Sequence, residues 1–493
     1  MPSMKKMKLL GAVAATLFAA AATPWAEAAP FRHGLKTCRV QGVEYEAYCG
    51  KVSRPFDPNR SQGLQIDVEF VVVPALARNR LPDPVFFFAG GPGQSAINLA
   101  GPVSRMFSRL GYRRDMVFID QRGTGRTAPL RCPDESPSRP LSETASTEGM
   151  IARLLECRAQ LQKLPHGDLR QYTTLLAAKD IEAVRVALEA DSINLIGGSY
   201  GTRVALEYMR QRPQAVRRAI IDGVAPPDMA LPASFSGDNQ AALDAALAAC
   251  DAEPRCRARY PALRADWATL LASLPKVVAV THPVTGVAER VNFSRDTVLS
   301  LARAPLYLPV MASALPMAIS EAAHGRFEPL VGLSSAAAGD RRGSLFEGMH
   351  FSVVCAEDWP RMAQAKEAAG ADFGDTFAQI YGKVCADWPR GTVPKEFYDI
   401  PLAGSATLLL SGGADPVTPP RHAERVAKAL GSRARHVVVP QAGHGVMGLG
   451  CMRDVVHKFI DAKNDGDALA VDADCAKSVP RPSAFLPVAE AAK

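Results

Sequence analysis

One pentapeptide restricts the architecture open to this chain more than any other segment. Gly197-Gly198-Ser199-Tyr200-Gly201 lies between an apolar run, Ile193 to Ile196, and a segment from Thr202 to Arg212 with helical patterning that Pro213 stops. A serine set between a buried strand and a helix, with glycines on both sides, marks a tight strand-to-helix turn. Such a turn exposes the hydroxyl and puts a helix N-terminus behind it, where negative charge is favoured. The dipeptide steps around Ser199 therefore imply one strand-helix unit of a parallel sheet.

Further units precede and follow it. Leu64, Ile66, Val68 and Phe70 alternate into Val71 to Val73, the pattern of a strand, and Pro74 ends it. Pro84 to Phe88 is a short apolar run that meets Ala89-Gly90-Gly91-Pro92-Gly93. Met116 to Ile119 is another, ending at Asp120-Gln121-Arg122-Gly123-Thr124-Gly125. Ala177 to Glu189 reads as an amphipathic helix, Ala219 to Ile221 as a strand. The alternation resumes with strands at Ala406 to Leu410 and His436 to Val439 and helices at Ala423 to Leu430 and Met452 to Ala462. Buried strands alternating with helices predict a mostly parallel sheet covered on both faces. Between the two blocks the chain is rich in Ala and Leu, has helical stretches such as Gln240 to Cys250, and carries few strand-like runs. The expected organisation is a leader at 1–28, a first core part at 29–227, a helical cap insertion at 228–399 and a C-terminal core part at 400–493.

The leader is inferred from Lys5, Lys6 and Lys8, the apolar run Leu9 to Ala22, and Ala26-Glu27-Ala28, a small-x-small cleavage pattern. It predicts an exported protein, periplasmic or secreted, with no membrane association after cleavage. Ten cysteines in such a chain imply disulfides, and they fall into five sequence neighbours whose pairing would close short loops, although the sequence does not fix connectivity. None is spaced as in a zinc site. The formal charge is +7, or +5 without the leader's three lysines and one glutamate, and no dense basic block exists, which argues against a nucleic-acid partner.

A serine hydroxyl needs a base, and the base an orienting acid. His444 stands in Gln441-Ala442-Gly443-His444-Gly445, directly after one strand, and Asp415 in Ser411-Gly412-Gly413-Ala414-Asp415-Pro416, directly after another. Ser199, Asp415 and His444 thus share placement at strand ends and the chain order of α/β-hydrolases. Asp222, at the end of the strand Ala219 to Ile221, is the rival acid. The backbone N–H groups of Tyr200 and Gly91 are the candidate oxyanion donors.

Taken together, Gly90-Gly91-Pro92-Gly93, Asp120 to Gly125, the Ser199 elbow and the Asp415 and His444 segments resemble the proline iminopeptidase and tripeptidyl aminopeptidase branch of the α/β-hydrolases. The cysteine-rich form, with Cys451 shortly after the histidine, is similar to the tripeptidyl type. The resemblance implies an α/β-hydrolase fold with an inserted cap, no cofactor, and release of short peptides or single residues from substrates with free N-termini. Two positions depart from the pattern: Ala89 stands where a histidine is frequent, and Thr127 where a serine is. Family members hold the substrate ammonium with cap carboxylates; Glu357 and Asp358, beside Cys355 and Trp359, are the candidates by local chemistry. A carboxylic ester hydrolase is the alternative, since the same triad serves esters. A dinucleotide site at Gly123-Thr124-Gly125 is opposed by Pro129, which denies it the helix it needs.

Overall fold

The computed structural model describes residues 34–133, 138–338, 345–402 and 404–487; the expected leader lies outside them. Among the described residues eleven strands run in chain order: β1 (Lys36–Cys38), β2 (Ala47–Pro55), β3 (Gln65–Val73), β4 (Val85–Phe88), β5 (Met116–Ile119), β6 (Ile193–Gly198), β7 (Val216–Asp222), β8 (Lys276–Thr281), β9 (Ala288–Phe293), β10 (Ala406–Gly412) and β11 (Ala434–Val439). Nine of them form one sheet in the order β1-β2-β3-β5-β4-β6-β7-β10-β11. From β5 to β11 every neighbour pair is parallel, while β1, β2 and β3 pair antiparallel at one end.

Burial on both faces of the sheet explains the unbroken apolar runs. Along β4, Phe86 and Phe88 enter one core, with Val117, Ile119, Leu195 and Ile221; Val85 and Phe87 enter the opposite core, with Phe118, Ile196, Ile220 and Leu408. A strand covered on both sides has no polar face to show, so its pattern is continuous rather than alternating.

Between β7 and β10 the chain leaves the sheet and builds a layer of helices with its own apolar core, including Leu243, Leu247, Trp267, Leu315 and Phe327. It also contains the antiparallel hairpin of β8 and β9, which the helical reading of this segment omits. That hairpin is mostly exposed, so its valines lack the dense apolar setting that marks the core strands. Five disulfides join the sequence neighbours Cys38–Cys49, Cys132–Cys157, Cys250–Cys256, Cys355–Cys385 and Cys451–Cys475, and no free cysteine remains among the described residues. Such a complement points to an oxidising, extracytoplasmic setting. No helix among the described residues is long and apolar enough to cross a membrane.

The turn after β6 is where sequence and packing meet most tightly. Ser199 adopts φ 55°, ψ −124°, a conformation unfavourable for any residue with a Cβ, at the entrance to the helix Tyr200–Gln211, here α1. The fold holds it there by bringing backbones into contact. A Cβ on Gly201 would lie 2.2 Å from the Phe88 carbonyl oxygen, and one on Gly197 would lie 2.5 Å from the Gly201 oxygen. By contrast, a Cβ on Gly198 would meet only the Met447 methyl, at 3.5 Å. The G-x-S-x-G spacing is thus a steric requirement at its two ends and not at the position before the serine.

That asymmetry makes a direct prediction. Gly201→Ala should destabilise the protein by about 3 kcal/mol or more, because main chain and not a side-chain tip must yield, whereas Gly198→Ala should melt near wild type. Thermal melts of the two variants check it; equal melting temperatures would contradict the packing account.

Candidate active site

Four loops converge at the C-terminal ends of β4, β6, β10 and β11. The Ser199 elbow follows β6, the Gly90 loop follows β4, and the Asp415 and His444 loops follow β10 and β11. Ser199, Tyr200, Gly91 and His444 all line one cavity of about 300 Å³, whose remaining walls are largely apolar, among them Phe87, Leu231, Phe235 and Met447.

His444 and Asp415 are joined directly: His444 Nδ1 stands 2.8 Å from Asp415 Oδ2. A carboxylate can only accept, so Nδ1 carries the proton and Nε2 is left as the basic nitrogen. Asp415 is buried and receives three further hydrogen bonds, from the Val417 N–H, the Thr418 N–H and the Thr418 hydroxyl, each at 2.9 Å. Burial pulls its pKa upward, yet the charge and hydrogen bond of His444 and these backbone donors outweigh it, and the carboxyl is held below its usual value. Close approach is again licensed by glycine, since a Cβ on Gly412 would fall 1.9 Å from the Gly443 oxygen. Thr418 is a residue the sequence reading misses; its place three residues after an aspartate, in a turn the side chain of Asp415 closes, was the available signal.

Asp222, the rival acid, does a different job. Its Oδ2 accepts the N–H groups of Val446 and Met447, both at 2.7 Å, so it fastens the loop that carries His444 rather than the imidazole. Its Oδ1 is buried without a hydrogen-bond partner among the described residues. Burial pushes its pKa up to about 6, against the lowering pull of the Met447 and Val446 N–H groups. An acid whose pKa is higher folded than unfolded binds extra protons in the native state. Its contribution to stability therefore falls as pH rises from about 4 to about 6.

The two expected oxyanion donors are brought to the same cavity. Tyr200 is the first residue of α1, where an N–H has no carbonyl a turn earlier to bond. Ser199 is the cap of that helix, and its side chain makes no capping hydrogen bond. Gly91 sits at φ 111° in a loop closed on itself by Gln94, whose side-chain oxygen accepts from the Gly90 N–H at 3.1 Å. This loop is braced from both sides. Asp120 accepts from the Ser95 hydroxyl at 2.6 Å and the Ile97 N–H at 3.2 Å. His350 Nδ1 lies 3.2 Å from the Pro92 carbonyl, with its Nε2 2.8 Å from the Tyr381 hydroxyl. Burial lowers the His350 pKa to about 4, so the ring is neutral and donates to Pro92 while accepting from Tyr381. The sequence gives no sign of this histidine's role, because it sits on the helix Glu347–Glu357, far along the chain from the loop it supports.

The rest of the Asp120-to-Gly125 segment is scaffold. Arg122 makes a two-pronged contact with Asp180, at 2.7 and 3.0 Å, and donates to the carbonyls of Phe56 and Gln171. Thr127 accepts the Glu69 N–H at 2.9 Å, a bond that any hydroxyl can make, which accounts for a threonine there.

Glu357 and Asp358 require a correction. Both are wholly buried and neither lines the Ser199 cavity. Asp358 takes both its oxygens to Arg203 of α1, at 2.9 and 3.0 Å; Glu357 accepts the Thr174 N–H and hydroxyl at 2.6 and 2.8 Å and lies 3.7 Å from Arg203. Burial raises the pKa of each, against the pull of Arg203. These acids are already satisfied by the protein and have no free face for a substrate ammonium. The helical layer meets the site elsewhere: the Tyr307 carbonyl accepts the His444 N–H at 2.9 Å, and the Tyr307 ring stands edge-on to the imidazole, centroids 5.3 Å apart.

Residues 83–247, which contain Ser199, match a model of the alpha/beta hydrolase fold, and residues 369–471, which contain Asp415 and His444, match one described as TAP-like protein. The chain is similar to serine protease Hip1 of Mycobacterium tuberculosis, 32% identical over 193 residues that cover 37% of this chain and 36% of the other. It is also similar to tripeptidyl aminopeptidase of Streptomyces lividans, 27% identical over 190 residues, covering 36% and 35%. These matches span little more than a third of the relatives' length. Among solved structures, proline iminopeptidase of Mycobacterium smegmatis aligns over 86% of this chain and 100% of its own, at 16% identity and a TM-score of 0.36. The chain is an alpha/beta hydrolase with a TAP-like C-terminal segment, distantly homologous to Hip1, tripeptidyl aminopeptidase and proline iminopeptidase.

Proposed function

We propose that the protein is an exported serine hydrolase that releases short peptides or single residues from free N-termini through an acyl-enzyme on Ser199. One observation carries the chemistry: the Asp415–His444 hydrogen bond of 2.8 Å, beside a strained serine that lines the same cavity. In this reading Ser199 Oγ attacks the scissile carbonyl carbon while His444 Nε2 takes its proton, and Asp415 stabilises the imidazolium that forms. The N–H groups of Tyr200 and Gly91 donate hydrogen bonds to the carbonyl oxygen as negative charge develops on it. Collapse of the tetrahedral intermediate breaks the C–N bond, His444 returns the proton to the leaving amine, and water then releases the acyl group by the same steps in reverse. All the chemistry is supplied by side chains and backbone, so the reading calls for no cofactor.

Peptide substrates are supported by the peptidase relatives rather than by the cavity, whose walls, among the described residues, offer a substrate ammonium no acid other than Asp222. Glu357 and Asp358 spend their oxygens on Thr174 and Arg203. The esterase alternative is therefore tested directly.

Exchanging the acids separates their roles. Asp415→Asn should lower kcat by about 10⁴, since the imidazole loses its tautomer and its compensating charge; Asp222→Asn keeps an acceptor for the His444 loop and should cost far less. Steady-state kinetics of both variants checks this, and the reverse order would make Asp222 the acid.

Substrate class is read from kcat/KM for a peptidyl-arylamide with free and with acetylated N-terminus, beside a simple aryl ester. The free peptide should exceed the acetylated one by at least about tenfold, equivalent to about 1.4 kcal/mol of transition-state binding. Equal turnover of the two, or hydrolysis of the ester alone, would replace the aminopeptidase reading with the esterase one.

A further inference from the structure

A second and larger cavity, of about 640 Å³, is lined by residues of the helical layer and of the segment 139–153, and Tyr307 lines both it and the Ser199 cavity. Among the described residues its walls hold three arginines and two glutamates. Two of the arginines are matched: Arg139 to Glu143 at 2.9 Å, and Arg153 to both oxygens of Glu347, at 2.5 and 2.8 Å. Arg303 is not. Among the described residues it has no carboxylate partner; its one hydrogen bond goes to the Tyr307 hydroxyl, at 2.6 Å, and its Nε is buried with no acceptor. Three aromatic rings, Phe235, Tyr307 and Phe377, surround the guanidinium with centroids 5.2 Å away. Ring faces offset part of the cost of enclosing a cation but supply no formal charge and no lone pair in the plane of its donors. A half-buried guanidinium with most of its donors unused is a fork for two anionic oxygens.

Resting on the reading of Ser199 as the nucleophile, we propose that the cavity beyond Tyr307 receives a carboxylate of the substrate and that Arg303 selects for it. Distance favours the arrangement: Arg303 bonds Tyr307, and Tyr307 packs on His444, so a carboxylate at Arg303 lies within a few residues of chain from the scissile bond. The group has two possible sources, an acidic side chain in the segment before the scissile bond or the free C-terminal carboxylate of a short peptide. Both present the same chemistry to the guanidinium.

Paired peptides separate them. One pair differs as Glu against Gln before the scissile bond, the other as a free against an amidated C-terminus. The expected result is that, in one pair, the carboxylate member has kcat/KM at least about tenfold higher, mainly through KM, as charge-assisted hydrogen bonds give. In Arg303→Met that ratio should fall close to one, and Arg303→Lys should restore part of it. Because each ratio is taken within one protein, a general loss of active enzyme cancels. A role confined to positioning Tyr307 would slow both members alike and leave the ratio intact.

The same peptides are also titrated calorimetrically onto Ser199→Ala and onto Ser199→Ala/Arg303→Met, which needs no turnover. An acid-over-amide preference in Kd that vanishes with Arg303 supports the site even if the hydrolase reading fails. Ratios near one in both pairs, or a preference untouched by Arg303→Met, would overturn it.

Discussion

Backbone pressed against backbone at the C-terminal edge of the sheet is the constraint on which the rest of this structure depends. Gly201 lies against the Phe88 carbonyl, Gly90 against the Ser199 Cβ and the Gly198 carbonyl, and Gly412 against the Gly443 carbonyl; at each place an added Cβ would fall at or inside about 3 Å of its neighbour. These approaches draw four loops from separate strands into one small volume. They also hold Ser199 in a backbone conformation that would otherwise relax. The strain is local, while the restraint comes from two apolar cores, one on each face of the sheet.

Buried polar contacts then tune what the glycines bring together. Asp415 and Asp222 lie in the same neighbourhood, yet the charge of His444 and the hydrogen bonds around it hold one low and burial drives the other up, so the two carboxyls are electrically distinct. The helical layer is tied to the core by the buried set of Arg203, Glu357 and Asp358, and to the His444 loop by the Tyr307 carbonyl. Breaking such a set by removing one member leaves a charge stranded, which is far more costly than the set is stabilising. Glu357 and Asp358 thereby act as anchors of α1, the helix that starts at the elbow.

The sequence carries the core legibly because both of its signals are local. The short apolar runs at Val85 to Phe88 and Met116 to Ile119, and Ala406 to Leu410 with its single threonine, are too brief for helices and meet glycine-rich turns directly, which marks them as strands buried on two faces. Cysteine pairing was also within reach, since each partner is the next cysteine along the chain. What escaped was set by distance in sequence. Adjacent acids beside a tryptophan look the same whether they meet solvent, a ligand or a buried arginine 155 residues away, as Asp358 does. His350, Tyr307 and Arg303 gain their meaning only once the helical layer is folded against the sheet. The hairpin of β8 and β9 leaves little trace in the sequence because its exposed strands lack the apolar continuity that reveals the others.

The central claim is that the elbow presents an activated serine, with Asp415 and His444 working on it. Its most direct test is covalent: incubation with a fluorophosphonate followed by intact mass and peptide mapping. The account predicts one adduct per chain, on the peptide containing Ser199, absent from Ser199→Ala, and formed far more slowly by Asp415→Asn. An adduct mapped to another residue, or labelling undiminished in Ser199→Ala, would contradict it.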